Sequence, residues 1–158
     1  MHTSSQHTFQ IITKRSERLA ELASQLKWTP NIWMGVTVEH FDYQYRIKSL
    51  TSTNAKIKFL CLEPLLSAMP DLDLTNINWV ILGGESGPEA RPIKKAWVTE
   101  IRDICLKSNT PFFFKQWGGF NKNKNGRLLD GKIWEETPAF FNQSQISLQL
   151  EPSVCGLT

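Results

Sequence analysis

Five short apolar runs recur along the chain, and each ends in a charged or glycine-rich cluster. Thr8-Phe9-Gln10-Ile11-Ile12 leads into Thr13-Lys14-Arg15, and Ile32-Trp33-Met34-Gly35-Val36-Thr37-Val38 leads into Glu39-His40. Ile57-Lys58-Phe59-Leu60-Cys61-Leu62 leads into Glu63-Pro64, and Trp79-Val80-Ile81-Leu82 into Gly83-Gly84-Glu85-Ser86-Gly87. Phe112-Phe113-Phe114 leads into Lys115-Gln116-Trp117-Gly118. Polar groups at the same end of successive parallel strands are how α/β proteins build a site, with the strand bodies as core and the carboxyl ends facing the ligand.

The stretches between the runs support that reading. Leu19, Leu22, Ala23 and Leu26 fall at i, i+3, i+4, i+7, one face of a helix, with Ser16 as its expected N-cap and Pro30 closing the unit. Phe41 to Leu50 reads as a second helix. Leu65 to Asn76 is short and holds Pro70, so a brief helix or loop is expected there. Gly83 to Pro92 holds three glycines and two prolines and must be a loop. Trp97, Ile101, Ile104 and Cys105 form another helical stripe, closed by Ser108-Asn109. The spacing predicts about five parallel βα units, with runs apolar on both sides and therefore helices on both faces. Either an open doubly wound sheet or part of a barrel would satisfy it; five units are too few for a full eight-stranded barrel. The expected fold class is an α/β partial (βα) barrel, lacking its N-terminal part. The domain is expected over residues 1–137, ending in a small hairpin that turns on Asp130-Gly131. Asn121 to Gly126 reads as a polar loop, and residues 138–158 as a poorly ordered tail. There is no internal sequence repeat.

With 158 residues, 41% hydrophobic and 21% charged, the chain is large enough for one domain with a real core. A net charge of +3 without a Lys/Arg run does not by itself imply nucleic acid. No stretch approaches a membrane span, and Met1 to His7 lacks the pattern of a secretory signal, so a cytoplasmic protein is expected. Cys61, Cys105 and Cys155 are too widely spaced for a zinc motif, and no metal ligands are expected among them. Cys61 and Cys105 read as buried small hydrophobes.

The run ends supply the candidate site. Lys14-Arg15 could bind an anion; as a bare pair of cations it would sit badly at a positive helix N-terminus. Glu39 and Glu63 at neighbouring strand ends could work as acid and base, or hold a cation. As plain structure, Glu39 would be a capping or surface carboxylate. Glu63, bracketed by Leu62 and Pro64-Leu65-Leu66, should be part-buried and need a partner, with Lys14 and Lys115 the candidates. In Gly83-Gly84-Glu85-Ser86-Gly87 the glycines allow close backbone approach, and successive N–H groups could cradle an anion; a tight turn is the plainer alternative. Arg91 could pair with Glu85 or bind a ligand. Trp117 could be a lid over the strand ends. The candidate catalytic residues are Lys14, Glu39, Glu63 and Lys115. The candidate cofactor-binding residues are Gly83, Gly84, Glu85, Ser86, Gly87 and Arg91.

Taken in order, these motifs resemble an uncharacterised bacterial and phage family. The matching stretches include Trp33-Met34-Gly35-Val36-Thr37-Val38-Glu39, Glu63-Pro64-Leu65-Leu66, Trp79 to Pro88 with Arg91-Pro92, and Pro111 to Gly118. Gly126-Arg127-Leu128-Leu129-Asp130-Gly131-Lys132-x-Trp134 extends the likeness, which covers about Thr8 to Pro138. The family is the phage gp-thirty-seven/sixty-eight type, with a three-cysteine motif like that of radical S-adenosylmethionine (SAM) enzymes. The resemblance implies a radical-SAM/TIM-barrel-like fold, with SAM and an iron–sulfur cluster as cofactors. The cluster cysteines are absent here, so both cofactors would require a preceding segment. The chain is expected to be the C-terminal part of such a protein: truncated, split or degenerate. It would form one wall of a SAM or substrate site and be catalytically incomplete alone. A companion chain or self-association would complete it, because a barrel cut in the middle leaves β-edge and apolar surface around Phe9, Ile11, Trp33 and Phe59 uncovered. A non-catalytic binding or assembly module, and a small cluster-independent α/β enzyme using Glu63, Glu85 and Lys115, are the alternatives.

Overall fold

The computed structural model describes residues 1–121 and 125–138. Most of the expected tail, with Cys155, and the middle of the expected polar loop lie outside the described residues. Five strands, β1 (Phe9–Thr13), β2 (Ile32–Thr37), β3 (Ile57–Leu62), β4 (Trp79–Gly83) and β5 (Phe112–Gln116), form one sheet in the order of the chain. Every neighbouring pair is parallel. Three helices, α1 (Ser16–Leu22), α2 (Tyr45–Thr51) and α3 (Lys95–Lys107), connect them, and a hairpin of β6 (Leu128–Leu129) and β7 (Lys132–Ile133) follows. The fold is α/β with a five-stranded parallel sheet.

Alternation sorts the strand side chains into two faces. Met34, Val36, Leu60, Leu62, Val80, Leu82, Phe112 and Phe114 share one buried core with Leu19 of α1, Leu50 of α2 and Ile101 of α3. All three helices therefore lie on this one face, as same-handed crossovers between sequential strands require. Among the described residues, helices on both faces, as in a doubly wound sheet, are not found. The opposite face buries a separate cluster of Trp33, Ile57, Phe59 and Trp79, with Ile81 and Phe113 packed against it. Trp79 is its hub: its ring lies 6.2 Å from Trp33, 5.8 Å from Phe59 and 6.1 Å from Phe113. Trp33 and Phe59, expected to be uncovered, are 3% and 0% exposed. The rings cover one another, and Ile11 belongs to the helix-bearing face instead.

Five full βα units are not formed. Between β3 and β4 no helix appears; the connection instead tucks Leu65, Met69, Leu72, Leu74 and Ile77 into the main core, doing a helix's work without its backbone pattern. The expected helix over Phe41 to Leu50 divides into a 3-10 turn, Phe41–Tyr43, and α2. α1 tightens into a 3-10 turn at Ala23–Gln25. Ser16 is not the N-cap of α1: Arg15 holds that position, without a side-chain cap, and buried Ser16 donates to Glu17.

The hairpin turns on Asp130 and Gly131, both at positive φ (52° and 77°), the two left-handed positions of a type I′ turn. Leu129 and Trp134 reach the main core, where Trp134 meets the Phe112 ring at 5.9 Å. The chain then runs antiparallel along β5: Phe114 N–H donates to Trp134 O, and Glu136 N–H to Phe112 O. One edge of the sheet is thereby covered; β1 forms the other. Among the described residues no helix is long and apolar enough to cross a membrane.

Candidate functional site

Parallel strands in register bring their carboxyl ends to one end of the sheet. Lys14 follows β1 and Glu63 follows β3 directly, Glu39 and Glu85 lie two residues beyond β2 and β4, and Lys115 is the next-to-last residue of β5. Parity adds a second constraint. Thr37, Cys61 and Phe113 lie in one register row on the aromatic face and Ile12 in the row before, beside Gly35, so by alternation Lys14, Glu39, Glu63 and Lys115, each two residues on, belong to that same side.

The charges meet as pairs. Lys14 Nζ donates to Glu39 Oε1 at 2.8 Å, while Arg46 Nη1 donates to Glu39 Oε2 at 2.9 Å and to the Thr37 carbonyl at 2.8 Å. Glu39 and Arg46 are both buried. The Arg46 guanidinium stacks on the Tyr43 ring at 4.2 Å, and its Nε has no hydrogen-bond partner among the described residues. Burial alone would raise the Glu39 carboxyl. The Lys14 hydrogen bond, a backbone hydrogen bond and the Lys14 and Arg46 charges outweigh it, so Glu39 titrates below its ordinary range. Glu39 is thus an ionised anchor between two cations.

Glu63 accepts from Lys115 Nζ at 3.1 Å and from Gln116 Nε2 at 3.4 Å, and Gln116 also reaches Ser86 Oγ at 2.9 Å. Of the two lysines expected as partners, Lys115 takes Glu63 and Lys14 takes Glu39. Gly83 leaves room for this: a Cβ there would stand 3.1 Å from Glu63 Oε1. Cys61 lies beneath. Burial first, and then the Glu63 charge, push its thiol up, with Glu39 adding to the shift and Lys115 opposing it. Thr37 and Cys61 are register partners, so Glu39 and Glu63, each two residues on, follow neighbouring strands at the same level.

The glycine loop closes onto the segment after β5. Gly84 N–H donates to Gln116 O, Gly119 N–H to Glu85 O and Gly87 N–H to Gly119 O. A Cβ on Gly84 would lie 2.1 Å from the Trp117 carbonyl oxygen, and one on Gly118 (φ +72°) 2.1 Å from Glu85 O. These glycines let two loops touch backbone to backbone, and the N–H groups of Gly84 and Gly87 are committed to that contact. Glu85 is clamped by Arg91: Nε at 2.7 Å, Nη2 at 2.8 Å and the Arg91 N–H at 2.9 Å. These hydrogen bonds hold the Glu85 carboxyl at about 2. Trp117 is not a lid. It packs on Phe114 at 4.8 Å and donates to Leu128 O, tying the hairpin to β5.

Two contributors escape the sequence reading, Arg46 and Gln116. Arg46 was legible in principle: it stands beside Ile47 and four residues before Leu50, on the face that α2 buries. A charge on an apolar helix face needs a partner.

As a cluster site the described cysteines do not fit. Cys61 is on the aromatic face of β3, whereas Cys105 on α3 is in the core on the opposite side of the sheet. Burial pushes the Cys105 thiol up to about 12. Among the described residues no group of three His, Cys, Asp or Glu is placed to hold a metal.

A family model described as "Protein of unknown function (DUF5131)" matches residues 1–138, and the chain belongs to that family. No curated protein and no solved structure matches it.

Proposed function

We propose that in this member of the family the carboxyl ends of the sheet form one wall of a ligand site, in a radical-SAM-like protein of the phage type. In this reading the sheet is part of a βα barrel, and the chain is catalytically incomplete by itself. The supporting observation is that Lys14–Glu39 and Glu63–Lys115 pair at one end of one sheet, after strands whose residues Thr37 and Cys61 are in register. Single-sided helices over sequential parallel strands are what a barrel segment would have. Glu39 and Arg46 would fix the wall. Lys115, Gln116 and Glu63, part-exposed, would be the groups that rearrange around a ligand. SAM or a substrate would be met at the Gly83–Gly87 loop and Arg91, where the Glu85–Arg91 pair would have to open for either group to reach it. Cluster ligands would come from a companion segment, because Cys61 and Cys105 do not supply them.

Titration of the isotope-labelled chain with SAM, followed by amide and side-chain NMR, tests this. Shifts confined to residues 14, 39, 63, 83–87, 91 and 115–116, lost in Glu85→Gln, are the expected result. Reductive cleavage of SAM by the chain alone would overturn the claim of incompleteness, and shifts elsewhere would overturn the site. A non-catalytic assembly module is the second reading, favoured by the open edge at β1.

A further inference from the structure

We propose that the β1 edge and the apolar groove beside it dock a partner polypeptide, which adds a strand to the sheet and sets carboxylates against a basic rim. The proposal does not rest on the reading of the polar site. The two sheet edges are treated differently. The β5 edge is covered by the antiparallel run through Glu135. Among the described residues no strand pairs with the far side of β1. Sheet edges are ordinarily blunted by charge, proline or a bulge. Thr8 to Thr13 contains no charge, proline or glycine, and Ile12 is 46% exposed.

On the helix-bearing side, the edge continues into a cavity of about 640 Å³ that Ile11 and Thr13 of β1 help to line. Its apolar floor includes Leu19, Leu22, Trp28 and Met34. Arg15, Arg18 and Lys27 stand around it, and no Asp or Glu lines it. Arg18 pairs at the surface with Glu21, whereas Arg15 and Lys27 make no ion pair among the described residues. A basic, apolar trough running beside an unblunted strand edge selects the occupant. A second copy meeting this one across β1 would set the same basic rim against itself. A small lipid anion would fill the trough and leave the strand edge unpaired. A polypeptide with a β-segment followed by an apolar, acidic stretch satisfies the edge, the floor and the rim together.

Selection from a displayed library of random peptides, against the intact chain, tests the proposal. Ile12 and Arg18 are exposed, so Ile12→Lys and Arg18→Glu should fold as the parent does, which circular dichroism checks. Winning peptides should combine alternating apolar residues with Asp or Glu and shift the amides of residues 10–12, 22 and 28. Ile12→Lys should abolish their binding, and Arg18→Glu should weaken it by about tenfold, the scale of one charge contact turned repulsive. Four results would each overturn the proposal: no winners, winners without acidic preference, binding indifferent to Ile12→Lys, or sedimentation showing the chain already paired with its own copy through β1.

Discussion

The ring of Phe59 occupies the space that a side chain at Gly35 would need: a Cβ built there lies 2.6 Å from Cε2 and Cζ of Phe59. The two are register partners on β2 and β3, on the aromatic face. Gly35 is at an ordinary φ, so its role is space rather than backbone freedom. The whole Trp79-centred cluster depends on it, because Phe59 is one of the rings that Trp79 touches.

Gly35→Ala is therefore expected to destabilise the chain by about 1–3 kcal/mol, the range for overpacked cores. Paired with Phe59→Leu, the loss should be smaller than the sum of the two single losses, with coupling of about 0.5–3 kcal/mol. Denaturant unfolding of the four species measures it, and additivity would show that the ring can move aside freely.

Glu39→Gln should cost about 3 kcal/mol, since it leaves the buried Arg46 guanidinium without its anion. Lys14→Met removes an exposed partner and should change stability by less than about 1 kcal/mol. Equal losses in thermal unfolding would show that the buried Arg46 contact contributes no more to stability than the exposed Lys14 one.

The acid limb of stability should carry the signature of Glu39. Its folded-state pKa is depressed, so its contribution is complete above the ordinary carboxylate range and is lost as pH falls through the depressed value. Glu39→Gln should flatten the stability–pH curve on that limb and leave it unchanged at neutral pH apart from a constant offset. Glu85 behaves in the same direction: in the folded chain its clamp on Arg91 should hold until pH nears about 2, so the loop amides should titrate only there, well below the ordinary carboxylate range.

Gly84→Ala and Gly118→Ala should each loosen the contact between the glycine loop and the segment after β5, because the atoms in the way are backbone. A loss of about 1–3 kcal/mol is expected for each, together with faster amide exchange at Gly87 and Gly119. Unchanged exchange would show that the two loops are not held by one another.

Anaerobic reconstitution with iron and sulfide should give no stoichiometric cluster. Cys61 and Cys105 are buried on opposite sides of the sheet and cannot ligate together. Iron bound at stoichiometry, with broad visible absorbance, would contradict this.

The strands and their polar ends were legible because apolar runs and punctuation are local signals. Lys115 as one of two candidate partners of Glu63, and the Asp130-Gly131 turn, followed from strand-end chemistry and turn chemistry; which lysine takes Glu63 needed the fold. What escaped depends on distance in sequence. The connection after β3 was expected as a brief helix or loop and is a loop, but that Leu65, Met69, Leu72, Leu74 and Ile77 fill the main core is seen only in the fold. One-sided helices could not be read from runs apolar on both sides, because the aromatic face buries itself. The contact of the glycine loop with residues 117–119, some thirty positions on, leaves no mark in either stretch alone.

Strand order that equals chain order has a consequence for synthesis. Each strand leaving the ribosome after β1 finds its neighbour already made, so the sheet can grow in the direction of translation without waiting for a distant segment. At every stage the newest strand is the raw growing end. The run through Glu135 then arrives in the opposite sense and offers no further parallel register. It acts as a stop signal written in backbone polarity, so growth of the nascent sheet ends with the chain's own antiparallel turn.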